Sequence, residues 1–329
     1  MPRAFSKARR KARVSGLSRT MSREASPKIG VALGSGASRG LAHIGVMRAL
    51  EEQGIEVSFV AGTSMGAFIG SVYAAGNLKR LAKDFLAFDW RSVASLLDPV
   101  FPRSGLIDGQ KVAAFLSGYT SRRSIEDLAV RFRAVATDML TGAEVILDSG
   151  DVTEAVRASI AVPGLLTPVQ LKNRILLDGG LVNPVPVSVV RAMGADIVIG
   201  VDVSIDVIES RLARIHETAT ARPTGAAAAR LHEVLQATNN PAAMQLDAWL
   251  HRAPVPGIVH VLMSAIYVMQ AKIAKANLER HSPDLLIRPA LGSIRFMDFD
   301  RAEEIIELGY QAAKTAWAGK FGAGTPGGR

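Results

Sequence analysis

A chain that must pass from strand to helix within two residues has few folds open to it, and one stretch here makes that demand. An apolar run at 57–61 leads into Gly62-Thr63-Ser64-Met65-Gly66, a G-x-S-x-G, and then into the small, helix-compatible residues of 67–75. A turn that tight holds its central side chain in a strained, exposed position, and flanking glycines relieve the clash. Ser64 is that residue. Its hydroxyl is raised above a sheet edge beside a helix N-terminus, whose unpaired N–H groups favour developing negative charge. The spacing reads as a nucleophile elbow; its plainer reading is a Gly/Ser-rich turn. The two part company on whether the chain also supplies an oxyanion site and a base.

The surrounding pattern is α/β. Residues 28–33 form a short apolar strand that ends in Gly34-Ser35-Gly36-Ala37-Ser38-Arg39-Gly40, and 41–53 carry apolar positions at helical spacing up to Gly54. Two consecutive strand–helix units of this length imply a parallel sheet with right-handed crossovers. Residues 77–128 read as mainly helical, broken around Pro99 and Pro102. Strands are expected at 132–138 and 144–147, a short helix at 153–160, an irregular loop through Pro163 and Pro168, and an apolar strand at 175–177 running into Asp178-Gly179-Gly180. A helix at 187–193 and a buried parallel strand at 196–201 complete residues 28–204 as the core. An Ala-rich helical insertion or lid region is expected over 205–284, followed by a closing strand and helix over 285–318 and a disordered end at 319–329.

Charge is concentrated at one end. Residues 1–28 hold nine Lys and Arg against Glu24 alone, while the rest of the chain is nearly neutral at +1. A nucleic-acid-binding fold would carry its basic stripe on structured elements, so no nucleic acid is expected as a partner. Residues 1–27 read as a disordered basic tail: a solvated arm, a transit-type segment, or an electrostatic tether to anionic lipid. They lack the apolar run of a secretory signal, and the expected location is cytoplasmic with peripheral membrane contact. The 257–270 segment is apolar but shorter than the roughly 20 residues of a membrane span; it is expected to pack on the core or to face an interface as a lid. The chain has no cysteine, which removes disulfides, thiolate metal sites and cysteine nucleophiles.

The Gly34–Gly40 loop lies between a strand and a helix, the context that gives a Gly-rich loop meaning. As a dinucleotide fingerprint it is flawed: Arg39 stands where close packing wants a third glycine, and the second strand ends without an acid for a ribose hydroxyl. As an oxyanion hole it fits better, because successive N–H groups of small residues can point at one spot and Arg39 adds positive charge. For the base, a Ser-Asp-His order would need a histidine after a late strand, with His216, His232, His251, His260 and His281 as candidates. Asp178 is better placed, at a strand end and followed by two glycines that admit close approach. A carboxylate in contact with Ser64 can take its proton during attack and return it to the leaving group.

These three pieces, in this order and spacing and with Leu41-Ala42-His43-Ile44-Gly45-Val46 after the loop, resemble the patatin-like phospholipases, in particular their bacterial branch. The resemblance covers residues 28–204 well and the last strand and helix loosely. It implies an α/β, patatin-like three-layer fold with a central, mainly parallel sheet and a helical insertion in the C-terminal third. It further implies a Ser-Asp dyad in place of a triad, lipid or phospholipid acyl esters as substrates, and chemistry with no cofactor and no metal. By position, Ser64 becomes the nucleophile within the elbow Gly62, Thr63, Met65, Gly66, and Asp178 the proton acceptor beside Gly179 and Gly180. The oxyanion site is drawn from Gly34, Ser35, Gly36, Ala37, Arg39 and Gly40, centred on Gly36 and Ala37. His43 becomes a structural residue and Asp138 a strand end with no part in proton transfer. A low-turnover lipid-binding protein and an acyltransferase are the other functions compatible with these motifs.

Overall fold

The computed structural model describes residues 26–100, 105–204 and 258–322. The tail before residue 26, residues 205–257 of the expected insertion and the end from 323 lie outside the described residues.

Eight strands among the described residues form one sheet, in the order β5-β6-β3-β2-β1-β7-β8 with β4 also on β3. β1 (Ile29–Leu33), β2 (Val57–Thr63), β3 (Arg131–Asp138), β7 (Ile197–Val201) and β8 (Leu285–Ile287) run parallel. The helices between them are α1 (Ala42–Glu52), α2 (Met65–Ala74), α3 (Leu78–Leu86), α4 (Trp90–Ser95), α5 (Gln110–Thr120), α6 (Val152–Ser159) and α7 (Val187–Ala192), and α8 (Ile258–Arg280) and α9 (Ala302–Phe321) follow β7 and β8. Side chains of the strands alternate between two buried faces, as a sheet covered on both sides requires. Val31, Leu33, Val60 and Val201 pack with α1, α2 and α9, while Ala32, Phe59, Ala61 and Val198 pack with α7 and with Ala274 and Leu278 of α8. A register shift where β1 and β2 begin to pair changes the parity of β2, so that Val57 and Val60 share a face although three residues apart.

The three remaining strands are antiparallel to β3 or to each other: β4 (Glu144–Leu147), β5 (Val169–Leu171) and β6 (Arg174–Asp178). Their pairing decides the geometry of the site. β4 pairs with Ala134 to Thr137 of β3, so β2, which pairs with Arg131 to Val135, must hold the opposite edge. β6 pairs with Ala136 to Asp138, and β4 also uses Ala136 and Thr137, so β6 takes the edge that β2 has just left. Two strands thus meet head to head along one edge of β3, with Thr63 opposite Val135 and Asp178 opposite the next residue, Ala136.

Two expectations need correction. The loop expected after Pro163 contains β5, which turns back into β6 through Lys172 and Asn173, both at positive φ. Neither residue is the glycine that normally announces such a turn. The end expected to be disordered from residue 319 instead continues α9 to Phe321, and Gly322, at φ 75°, stops the helix.

α1 and α9 lie close enough that a Cβ at Gly309 would stand 2.0 Å from the Ala42 carbonyl oxygen, whereas Gly319 of the same helix has nothing within 4 Å. Gly309→Ala is expected to destabilise the protein by about 2–3 kcal/mol through overpacking against rigid backbone. Gly319→Ala is expected to stabilise it by about 0.5 kcal/mol through helix propensity. Urea unfolding of the two variants checks the opposite signs.

Candidate active site

The elbow is built by backbone contact. Ser64 sits at φ 56°, ψ −123°, a conformation that costs an L-residue on the order of 1–3 kcal/mol. Glycines make the turn possible: a Cβ at Gly62 would lie 2.3 Å from the Gly66 oxygen, and one at Gly66 would lie 2.1 Å from the Leu33 oxygen. The Ser64 carbonyl accepts from Ala67 and Phe68 and so starts α2, while its N–H donates to Ser159 Oγ at 2.9 Å. Ser159 in turn donates to the Val135 carbonyl at 2.6 Å, fastening the strained residue to β3 through the end of α6. On either side of the serine, Thr63 donates its hydroxyl to the Asn183 carbonyl, and Met65 packs where Gly40 has no side chain.

Asp178 meets this elbow from the opposing strand. Ser64 Oγ donates to Asp178 Oδ2 at 2.5 Å, and the other carboxylate oxygen, Oδ1, accepts from the Gly180 N–H at 2.7 Å. The backbone of Asp178 is held on both sides, its N–H donating to Ala161 and its carbonyl accepting from Thr137 Oγ1. Gly179 is required because a Cβ there would lie 2.2 Å from the Val135 oxygen. Asp178 is 1% exposed and Ser64 7%. Burial raises the Asp178 carboxyl to about 6, and the hydrogen bonds from Ser64 and Gly180 offset that only in part.

The Gly-rich loop divides its N–H groups. Gly34 donates to Val201 O and Ser35 to Pro184 O, whereas Gly36 and Ala37 have no N–H acceptor among the described residues. Gly36 and Ala37 are the two positions on which the expected oxyanion site is centred. The Arg39 side chain lies over the Tyr267 ring, 4.8 Å from its centroid, and does not line the cleft, so its expected support of an oxyanion is not direct. His43 donates from Nε2 to the Gly34 carbonyl at 2.7 Å. Together with the Ser35 N–H bond, this pins both ends of one peptide unit just ahead of the two free N–H groups. Burial lowers His43 to about 4, which keeps it neutral in that role.

Ser64, Asp178, Gly36 and Ala37 open on one cleft of about 1100 Å³, mouth included. Its walls are apolar. Phe68, Phe85, Phe88, Phe115 and Phe299 form a run of ring contacts on one side, and Met263, Ile266 and Tyr267 of α8 close the other. Asp178 is the sole charged residue among the described lining residues. The histidines with described side chains do not reach it: His43 is tied to the loop, and His281 is exposed at the end of α8. His260 lies in α8 with its side chain outside what is described, and His216, His232 and His251 lie outside the described residues altogether. Asp138 caps the β3–β4 turn by accepting from the N–H groups of Leu140 and Thr141.

Two site residues were not singled out from the sequence. Ser159 carries no local motif, only the anomaly of a polar residue at the buried end of a helix. Gln270 could have been found: it is the polar member of a 263, 266, 267, 270 helical stripe.

Residues 31–191 match the family described as patatin-like phospholipase. An uncharacterized NTE family protein of Mycobacterium tuberculosis is 33% identical, the match covering 88% of this chain and 91% of that relative. The chain belongs to the patatin-like phospholipase family. Patatin-like phospholipase domain-containing protein 6 of Homo sapiens is 30% identical over 88% of this chain, and Lysophospholipase NTE1 of Meyerozyma guilliermondii 29% over 92%. The matched region is 20% of the length of each of those two. A solved structure, VipD from Legionella pneumophila, is similar over 89% of this chain and 67% of that one at a TM-score of 0.41 and 12% identity.

Because the folded protein holds the Asp178 proton more tightly than the unfolded chain, ionising it costs stability. That stability is complete below the unfolded value of 3.8 and is lost as pH rises through about 6, to a total of about 3 kcal/mol. Asp178→Asn, which keeps the shape and removes the charge, is therefore expected to unfold at a higher denaturant concentration than the unsubstituted protein at pH 8. The difference should shrink at pH 5, and paired urea titrations at the two pH values measure it.

Proposed function

We propose that this protein is a serine acyl hydrolase of lipid esters, working through an acyl-enzyme on Ser64. The observation that carries the reading is the buried 2.5 Å contact from Ser64 Oγ to Asp178 Oδ2 at the floor of an apolar cleft. Ser64 Oγ attacks the ester carbonyl carbon while its proton passes to Asp178. The carbonyl oxygen becomes an oxyanion that Gly36 and Ala37 N–H groups stabilise, with the N-terminus of α2 alongside. Collapse breaks the bond to the alcohol, which leaves with the proton from Asp178. Water then repeats the sequence in reverse, giving its proton to Asp178 and its oxygen to the acyl carbon, and Ser64 is released as the alcohol. With a carboxyl raised to about 6, Asp178 is ionised at neutral pH yet basic enough to carry a proton between steps.

The cleft suits a fatty acyl chain, being walled almost wholly by apolar and aromatic side chains. It offers no cation for a phosphate among its described lining, so a charged head group belongs at the mouth. The exposed face of α8, with Val261, Leu262, Val268 and Met269, supports peripheral contact with the lipid surface that supplies the substrate. No helix among the described residues is long and apolar enough to cross a membrane. The names of the relatives, a patatin-like phospholipase domain-containing protein and a lysophospholipase, agree with this substrate class.

Incubation with mixed phospholipids, followed by mass spectrometry of released fatty acids, tests the reading. Ser64→Ala and Asp178→Asn are each expected to reduce release by at least a thousandfold. His281→Ala is expected to leave it within twofold. Loss in His281→Ala with activity retained in Asp178→Asn would move the chemistry to a triad.

A further inference from the structure

Gln270 comes from α8, far along the chain from the three sequence motifs, yet it touches two of them. Its Oε1 accepts from Ser35 Oγ at 3.1 Å, in the Gly-rich loop, and both side chains are buried. Its Nε2 approaches the aspartate turn. A Cβ at Gly180 would lie 2.4 Å from Gln270 Nε2 and 2.9 Å from Asp178 Oδ1, so those two atoms are separated by no more than the sum of these distances. Gly180 is thus the residue whose missing side chain admits the amide.

Two facts set the orientation of that amide. The Ser35 hydroxyl donates to its oxygen, and the reverse arrangement would turn the amide oxygen toward a carboxylate, lone pair against lone pair. The N–H end is therefore the end at Asp178. Nε2 has no acceptor among the described residues, and Gln270 lines the cleft. A largely apolar cleft thus presents an oriented neutral donor beside the aspartate turn, one that no described residue satisfies.

We propose that Gln270 reads the alcohol half of the substrate: its Nε2–H binds an oxygen carried on the carbon next to the scissile ester, so that the site prefers esters of a polyol such as glycerol over simple esters of the same acid. The assignment rests on the hydrolase reading above, because Asp178 must return its proton to the leaving oxygen and so fixes where the alcohol lies. That oxygen is served by Asp178, and the next oxygen, one carbon further on, is the one within reach of an adjacent donor. An alcohol without it leaves a desolvated N–H unpaired, and a site built to donate a hydrogen bond discriminates against a substrate that cannot accept one. Ser35 becomes the anchor that holds the amide in its orientation.

The test compares kcat/KM for 1-monopalmitoylglycerol and methyl palmitate, both read as released palmitate, in the unsubstituted protein and in Gln270→Leu, Gln270→Glu and Ser35→Gly. Each ratio is taken within one preparation, so it is independent of the fraction of a variant that folds. The glycerol-to-methyl ratio is expected to fall at least tenfold in Gln270→Leu. It should fall as far in Gln270→Glu, which keeps an acceptor for Ser35 but has no donor, and by a smaller factor in Ser35→Gly, which loosens the amide without removing it. An unmoved ratio in the Leu and Glu variants, with both esters slowed alike, reduces Gln270 to packing and overturns the proposal. Release from neither ester by the unsubstituted protein would sink the hydrolase reading and this one with it; release from both with an unmoved ratio overturns the role of Gln270 alone.

Discussion

The site depends on one edge of β3 being shared by two strands that arrive from opposite directions. β2 rises along that edge and ends at Thr63, β6 descends along it and ends at Asp178, and their registers on β3 differ by one residue. The backbone hydrogen bonds of a sheet thereby set the separation of two side chains that stand 114 positions apart in sequence. Strand termini in a packed sheet are among the least adjustable points of a fold. The Ser64–Asp178 contact is consequently a property of the ladder, and the loops at either end have only to avoid disturbing it.

Burial gives this contact its chemical character and its energetic cost. The carboxyl of Asp178 is desolvated and holds its proton more tightly than in water; among the described residues, Ser64 and the Gly180 N–H are its hydrogen-bond donors. A carboxylate paired with a cation would be a weaker base. Strain at Ser64 belongs to the same design: its backbone is held off the ordinary regions by Ser159 and by glycine contacts on both sides, and the hydroxyl is thereby turned toward the carboxylate. Stability is lowered at two neighbouring positions, and the rest of the sheet and its two apolar faces offset it.

Features that follow from local chemistry were legible in the sequence. The elbow could be read because a strand-to-helix turn around a serine needs glycine on both sides, and Asp178 stood out as a carboxylate followed by two small residues. The parallel strands β1, β2, β3 and β7 and the helices between them followed from apolar periodicity. What stayed hidden was long-range. The direction of β6 depends on a hairpin turn through Lys172 and Asn173, residues that give no strong turn signal. Which N–H groups of the glycine loop remain free depends on Val201 and Pro184, more than 140 residues away. The part taken by α8 was hidden for another reason: its apolar run looks the same whether it covers a core, faces lipid or walls a cleft, and only the placement of Gln270 beside Gly180 separates these.

Whether Asp178 activates Ser64 across the shared edge of β3 can be read from the rate at which a fluorophosphonate labels the protein as pH is varied. One modified residue, Ser64, is expected, with a labelling rate that rises through a single ionisation near pH 6 and is abolished in Asp178→Asn. Labelling at another residue, or labelling of Ser64 that persists undiminished without the carboxylate, would contradict that activation.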